Sequence, residues 1–129
     1  MGIFDFLFNT PKRSYGNVRG VTQDKIRMDW ESIKVLLDEK RPSQLRQALI
    51  VADKTLDNAL RDLVVGESMG ERLKNAKDLF RTDVYQKIWE AHKLRNNLVH
   101  ESNFEPPYFM LTEAVTNIRD GLISLGLKI

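Results

Sequence analysis

The feature that most constrains the fold is a run of apolar residues, spaced alternately by four and three positions, in the middle of the chain. This spacing places apolar side chains along one face of a helix, and other helices must cover that face. No strand-like alternation of apolar and polar residues competes with it. The run therefore predicts a long buried helix, marked by Leu45, Leu49, Ala52, Leu56, Ala59, Leu60 and Leu63.

Helix-breaking residues separate this run from similar periodic segments on either side. Pro42 stands before it, Gly66 after it, and Pro106-Pro107 divides the last two segments. Short breaks between substantial helices favour an all-α fold, an antiparallel up-and-down bundle of four to five helices. The residues expected to share one core are Leu45, Leu49, Leu56, Leu60, Ile88, Leu98, Val115, Ile118 and Leu122.

Four polar residues are candidates for starting these helices. Thr22 is placed to cap the first, and Ser68 with Glu71 forms a candidate capping box for a short third helix that contains Leu73, Ala76 and Leu79. Thr82 can open the fourth. The sequence thus predicts a helical domain over residues 22–129, preceded by an N-terminal arm over residues 1–21.

The arm begins with a dense apolar stretch containing Phe4, Phe6 and Phe8. It lacks the basic start and long apolar centre of a secretory signal. We expect the phenylalanines to pack on the bundle or on a partner. Contact with a membrane surface is the weaker alternative, because only Lys12 and Arg13 supply nearby positive charge.

Composition excludes several kinds of site and location. The chain of 129 residues has no cysteine, which removes disulfides and thiolate metal ligands and suits a reducing cytoplasm. No apolar run reaches the roughly 20 residues of a membrane span, so stable membrane insertion is not expected. A di-iron bundle would need Glu-x-x-His pairs, but Trp89 and Asn97 stand three residues before His92 and His100. We expect neither a metal nor a cofactor.

The segment Leu94-Arg95-Asn96-Asn97-Leu98-Val99-His100, near the end of the fourth predicted helix, carries the strongest chemical signal. Arginine grips phosphate with two parallel hydrogen bonds, and histidine exchanges protons near neutral pH. Together they suit metal-independent RNA cleavage. Five residues of helix, however, turn Arg95 and His100 about 140° apart. Either the helix ends before His100, or two chains assemble the site.

Two ordinary interpretations compete with a site. Cations and polar residues are common at helix C-termini, where they favour the negative end of the dipole. Residues 72–95 carry seven basic against three acidic side chains, and residues 96–129 carry two against four. The basic excess just upstream of the motif can attract a phosphate backbone, although a mixed solvated face explains it as well.

Arg95, Asn96 and His100, near the end of the penultimate long helix of a small helical protein, resemble the motif of the HEPN family. In that motif four to six residues separate an arginine, often followed by asparagine, from a histidine, and this chain has four. The resemblance implies a homodimeric helical bundle with two motifs facing each other across one cleft. It also implies a metal-independent endoribonuclease acting on RNA, often a toxin or phage-defence effector with an antitoxin or another regulatory protein as partner.

On this hypothesis Arg95, Asn96 and His100 are catalytic, and Asn97, His92 and Lys93 are candidates for binding substrate. The sequence alone favours a partly buried, structural His92. It likewise favours packing of Tyr85 and Trp89 in the core or a dimer interface over stacking on a base.

One position departs from the family pattern. Toxins regulated by a nucleotidyltransferase antitoxin often carry a tyrosine two residues after the histidine, where this chain has Ser102. The departure argues against regulation by that route. The alternative function is a non-catalytic helical module that binds a nucleotide, nucleic acid or protein.

Overall fold

The computed structural model describes residues 16–129, which fold into five helices packed together with no strand among them. The all-α prediction is therefore confirmed. Phe4, Phe6 and Phe8 lie outside the described residues. The helices are α1 Gly20–Glu39, α2 Pro42–Leu63, α3 Met69–Asn75, α4 Thr82–His100 and α5 Tyr108–Ser124.

The central helix α2 supplies the core, as its apolar spacing predicts. It packs against each of the other four helices. Eight of the nine predicted core residues are buried, and Leu98 is the exception because it is only half-buried. Val18, just before α1, is also buried in this core.

Some helix ends lie where the sequence predicts them, and others do not. Pro42 begins α2, where its missing N–H costs nothing. Ser68 accepts a hydrogen bond from the Glu71 backbone N–H at 3.1 Å and so caps α3, as predicted, but the Glu71 side chain makes no return bond to Ser68 to complete the capping box. That helix ends at Asn75, however, and a separate 3₁₀ turn covers Lys77–Leu79.

The prediction that Thr22 caps the first helix is wrong. The helix begins at Gly20, with Arg19 at the cap position and no side-chain cap. Thr22 instead reaches across to Asp62 near the end of α2. Burial raises the pKa of Asp62, but hydrogen bonds from Thr22 and Arg19 outweigh this effect and leave that pKa below its ordinary value. The polar contact therefore joins two helices rather than satisfying a helix end.

Two close contacts fix the helices that surround the motif. Arg72 of α3 donates to both carboxylate oxygens of Asp57 on α2, at 2.7 and 3.0 Å, and to the carbonyl of Gly66 at 2.7 Å. Hydrogen bonding to Asp57 raises the pKa of Arg72 above its ordinary value. On the other side, a Cβ at Gly121 of α5 would lie 2.6 Å from Ile88 Cδ1. The absence of a side chain at Gly121 thus lets α4 and α5 approach closely.

Candidate functional site

The motif helix α4 continues unbroken through Arg95 and Asn96 to His100. Of the two alternatives that the sequence leaves open, an end of the helix before His100 is therefore wrong. On a regular helix His100 lies about 7.5 Å along the axis from Arg95 and about 140° around it. One protomer does not place these two side chains on the same face.

A buried carboxylate on the neighbouring helix organises the start of the motif. Asp53 of α2 is only 2% exposed, and both its oxygens lie 3.1 Å from His92 Nδ1. One of them also lies 3.5 Å from Arg95 Nε. Asp53 thus binds two residues of α4, one turn apart, from across the helix interface.

Asn96 closes this arrangement into a ring. Its Oδ1 accepts from Arg95 Nη1 at 3.0 Å, and its Nδ2 lies 3.4 Å from His92 Nε2. An imidazole with its proton on Nδ1 donates to Asp53 and accepts from Asn96, which satisfies both ring nitrogens. We call Asp53, His92, Arg95 and Asn96 the Asp53 cluster.

His92 is buried within the Asp53 cluster and does not lie on the surface. His92 is 7% exposed, and neither ring nitrogen is free. The structural interpretation that the sequence favours agrees with this placement. In this arrangement His92 can orient Asn96 and reinforce the position of Arg95.

Asp53 and Asn96 contact one side of the Arg95 guanidinium, and the other side has no partner among the described residues. Its Nε is buried without a hydrogen bond, close to Asp53, whereas the side chain as a whole is 32% exposed. Nη2 donates to no described residue. An arginine fixed in this way can present its outer nitrogens to an anion with little loss of rotamer freedom.

His100 lies in a different environment. It is exposed at the last position of α4, beside an open depression of about 520 Å³ that Glu101, Ser102, Asn103 and Phe104 also line. Its ring makes no hydrogen bond with residues 16–129. Asn97 and Lys93 are exposed on the same helix. His100 is thus accessible for proton transfer but is not joined to the Asp53 cluster within one chain.

Sequence reasoning missed Asp53, although the signal was present. Asp53 lies four residues after Leu49 and three before Leu56, so the helical period places it on the buried face. An acidic residue there needs a partner to offset its desolvation. A search for inward-facing charges would have found it and would have pointed to His92 or an arginine as its partner.

Replacing Asp53 with alanine should destabilise the protein by about 1–3 kcal/mol, because His92 Nδ1 would lose its buried acceptor and Arg95 its neighbouring carboxylate. Asp53→Asn retains one acceptor oxygen and should cost less. Urea denaturation measures both effects, with Asp38→Ala on the exposed part of α1 as the control. Equal stability of the Asp53→Ala and Asp38→Ala variants would show that the cluster contributes nothing to folding.

Residues 16–129 contain no group of three or more histidine, aspartate or glutamate side chains that could hold a metal ion, and no helix there is long and apolar enough to cross a membrane.

Comparison of the sequence with models of known families and with curated proteins, and of the structure with solved structures, finds no match.

Proposed function

We propose that the protein is a metal-independent endoribonuclease of the HEPN type, with a composite active site at a homodimer interface. The observation that carries this proposal is the state of Arg95: a buried carboxylate and an amide hold its guanidinium, its Nη2 donates to no described residue, and the side chain is partly exposed. The accessible His100 lies on the same helix. A fixed cation and an open imidazole match the requirements for cleaving a phosphodiester bond.

In the proposed reaction the ribose 2′-oxygen attacks the adjacent phosphorus, and the bond to the 5′-oxygen of the next nucleotide breaks. One histidine accepts the 2′-hydroxyl proton, and another group returns a proton to the leaving 5′-oxygen. In a dimer with two symmetry-related sites, His100 of one protomer accepts the proton at each site, and solvent returns a proton to the leaving oxygen. Arg95 stabilises the negative charge that grows on the phosphate oxygens, and Asn96 keeps Arg95 in position.

A second copy of the chain can bring Arg95 and His100 together, which a single helix does not do because the two residues lie on different faces. Two-fold symmetry brings the same surface together from both subunits, so His100 of one protomer can face Arg95 of the other. The end of the α4–α5 pair that carries His100 also exposes apolar side chains, which suits an interface. These residues are Val99, Tyr108, Phe109 and Met110.

We expect the protein to sediment as a dimer at tens of micromolar. Phe109→Glu places a charge on the proposed interface and should shift the equilibrium towards monomer. Met28→Glu is the matched control, because Met28 is similarly exposed but lies on α1. A wild type that is monomeric at these concentrations, or an equal effect of both variants, would contradict the proposed interface.

The alternative function is a non-catalytic helical module. The hydrogen bonds that bind Asn96 to Arg95 and His92 favour it, since a residue occupied within its own chain is less available to substrate. Such a module would bind nucleotide, nucleic acid or protein without cutting it. A toxin or phage-defence role, with a regulatory protein as partner, belongs to the ribonuclease proposal only.

The direct test is incubation of the purified protein with single-stranded RNA and DNA of matched sequence in excess EDTA. The proposed mechanism produces a 2′,3′-cyclic phosphate, or its opened product, together with a 5′-hydroxyl end. DNA lacks the 2′-hydroxyl and should remain intact. Failure of folded, dimeric protein to cut varied RNAs would favour the binding module, and cutting of DNA would rule out this mechanism.

A further inference from the structure

A basic groove runs beside the motif helix, on the side where α3 and the 3₁₀ turn approach α4. Its volume is about 670 Å³. Lys74 and Lys77 line one wall, and α4 contributes Tyr85, Trp89 and Lys93. The groove therefore combines three cations with two aromatic rings.

The charge of the groove is not neutralised by its surroundings. Glu90 is the only acidic residue among those that line it. Lys74, Lys77 and Lys93 are exposed, and none of them forms an ion pair with a residue in the described part of the chain. Three unpaired ammonium groups around one groove favour a ligand with several negative charges.

The aromatic residues form a fixed platform rather than part of the deep core. Tyr85 and Trp89 are half-buried and pack edge to face, with ring centroids 6.4 Å apart. The Trp89 ring also packs edge to face on His92, with ring centroids 5.9 Å apart, so the groove adjoins the Asp53 cluster. A partly exposed indole held in this way can stack on a nucleobase.

The groove leads towards His100 along a single face of α4. Trp89, Lys93, Asn96 and His100 are spaced by four, three and four residues, which places all of them on one side of the helix. Trp89 and His100 are eleven positions apart, which is about 16 Å along the axis. An extended strand lying along this face would pass from the aromatic platform to the exposed imidazole.

We propose that this groove binds a single-stranded segment of the RNA substrate next to the cleavage site. The indole of Trp89 stacks on a base, and the three lysines contact phosphates. This inference rests on the proposed function for its choice of RNA, and it adds that the substrate is single-stranded. Stacking on a base requires an unpaired nucleotide, so the groove selects against a continuous duplex.

The test measures binding of a fluorescently labelled single-stranded RNA in EDTA, in the His100→Ala background, so that no cleavage interferes. In that background, Lys74→Gln/Lys77→Gln should lower the affinity and reduce the slope of log K against log salt by about 1–2, one phosphate contact per lysine. The control is Lys40→Gln/Lys87→Gln, which removes equal charge elsewhere. Lys40 directly follows α1, and Lys87 is exposed on the opposite face of α4 from Trp89.

Replacement of Trp89 by leucine, with the fold checked by circular dichroism, should weaken binding about 5- to 150-fold, as expected for loss of one stacked base. Equal affinity and salt slope of the two lysine double variants would overturn the proposal. So would tighter binding of a matched RNA duplex. RNA binding through the groove without cleavage by the wild type would instead disprove only the ribonuclease function.

Discussion

Replacing His100 with alanine should slow RNA cleavage about 10²- to 10⁴-fold, the range expected when a general acid or base is removed. Because His100 is exposed and makes no hydrogen bond within residues 16–129, the loss should occur without a change in fold. Single-turnover rates in EDTA at saturating protein measure the effect on the chemical step. A rate within a few-fold of wild type would exclude His100 from that step.

Arg95→Lys should also slow cleavage, although the charge is retained. A lysine ammonium cannot grip two phosphate oxygens as a planar fork does, and it cannot reproduce the contacts to both Asp53 and Asn96. Arg41→Lys, at the exposed junction of α1 and α2, is the matched control. Equal cleavage by wild type, His100→Ala and Arg95→Lys would identify the activity as a contaminant.

Truncating Leu56 or Ile118 to alanine should destabilise the fold by about 2–5 kcal/mol, because each side chain is completely buried and its loss leaves a cavity. Leu56 lies on the central helix α2 and Ile118 on α5, so the two variants test different parts of one core. Urea denaturation gives the free energy of unfolding. Val35→Ala, on the exposed face of α1, should change it by less than about 0.5 kcal/mol. No loss of stability in either core variant would contradict this packing.

The success of the core prediction reflects the strength of helical periodicity over long segments. The spacing from Leu45 to Leu60 identifies a buried face whichever helices cover it. Leu98 is the residue whose burial periodicity does not predict correctly. Leu94, one turn earlier, lines the same depression as Met110 near the start of α5, so little of that helix remains to cover Leu98. Periodicity gives the inward face but not the length of the neighbouring helix.

The candidate site was predictable in part. Arg95, Asn96 and His100 could be selected because their residue types suit phosphate chemistry and they lie close together in sequence. The contribution of Asp53 depends on a contact between residues 39 positions apart. Local spacing indicates that Asp53 points inward but cannot specify which side chain meets it. The same limit applies to Thr22, whose partner Asp62 comes from another helix.

The groove shows a further limit of sequence reasoning. Packing of Tyr85 and Trp89 was the favoured expectation, and both residues do pack against the core. They nevertheless remain partly exposed, next to lysines from a different segment. A half-buried aromatic can satisfy a structural role on one side and remain available for binding on the other. Only the three-dimensional arrangement shows that the same two rings pack against the core and also lie beside the lysines of the groove.

The measurement that tests the central claim most directly is complementation between two inactive variants. Arg95→Ala and His100→Ala proteins are assayed separately, and then after mixing under conditions that exchange subunits, on single-stranded RNA in EDTA. If Arg95 of one chain acts with His100 of the other, a mixed dimer contains one intact site. The mixture should then regain up to about a quarter of wild-type activity, since about half of randomly exchanged dimers are mixed and each has one of two sites. A mixture that contains mixed dimers yet stays as inactive as either variant alone, beside an active wild type, would contradict the composite site.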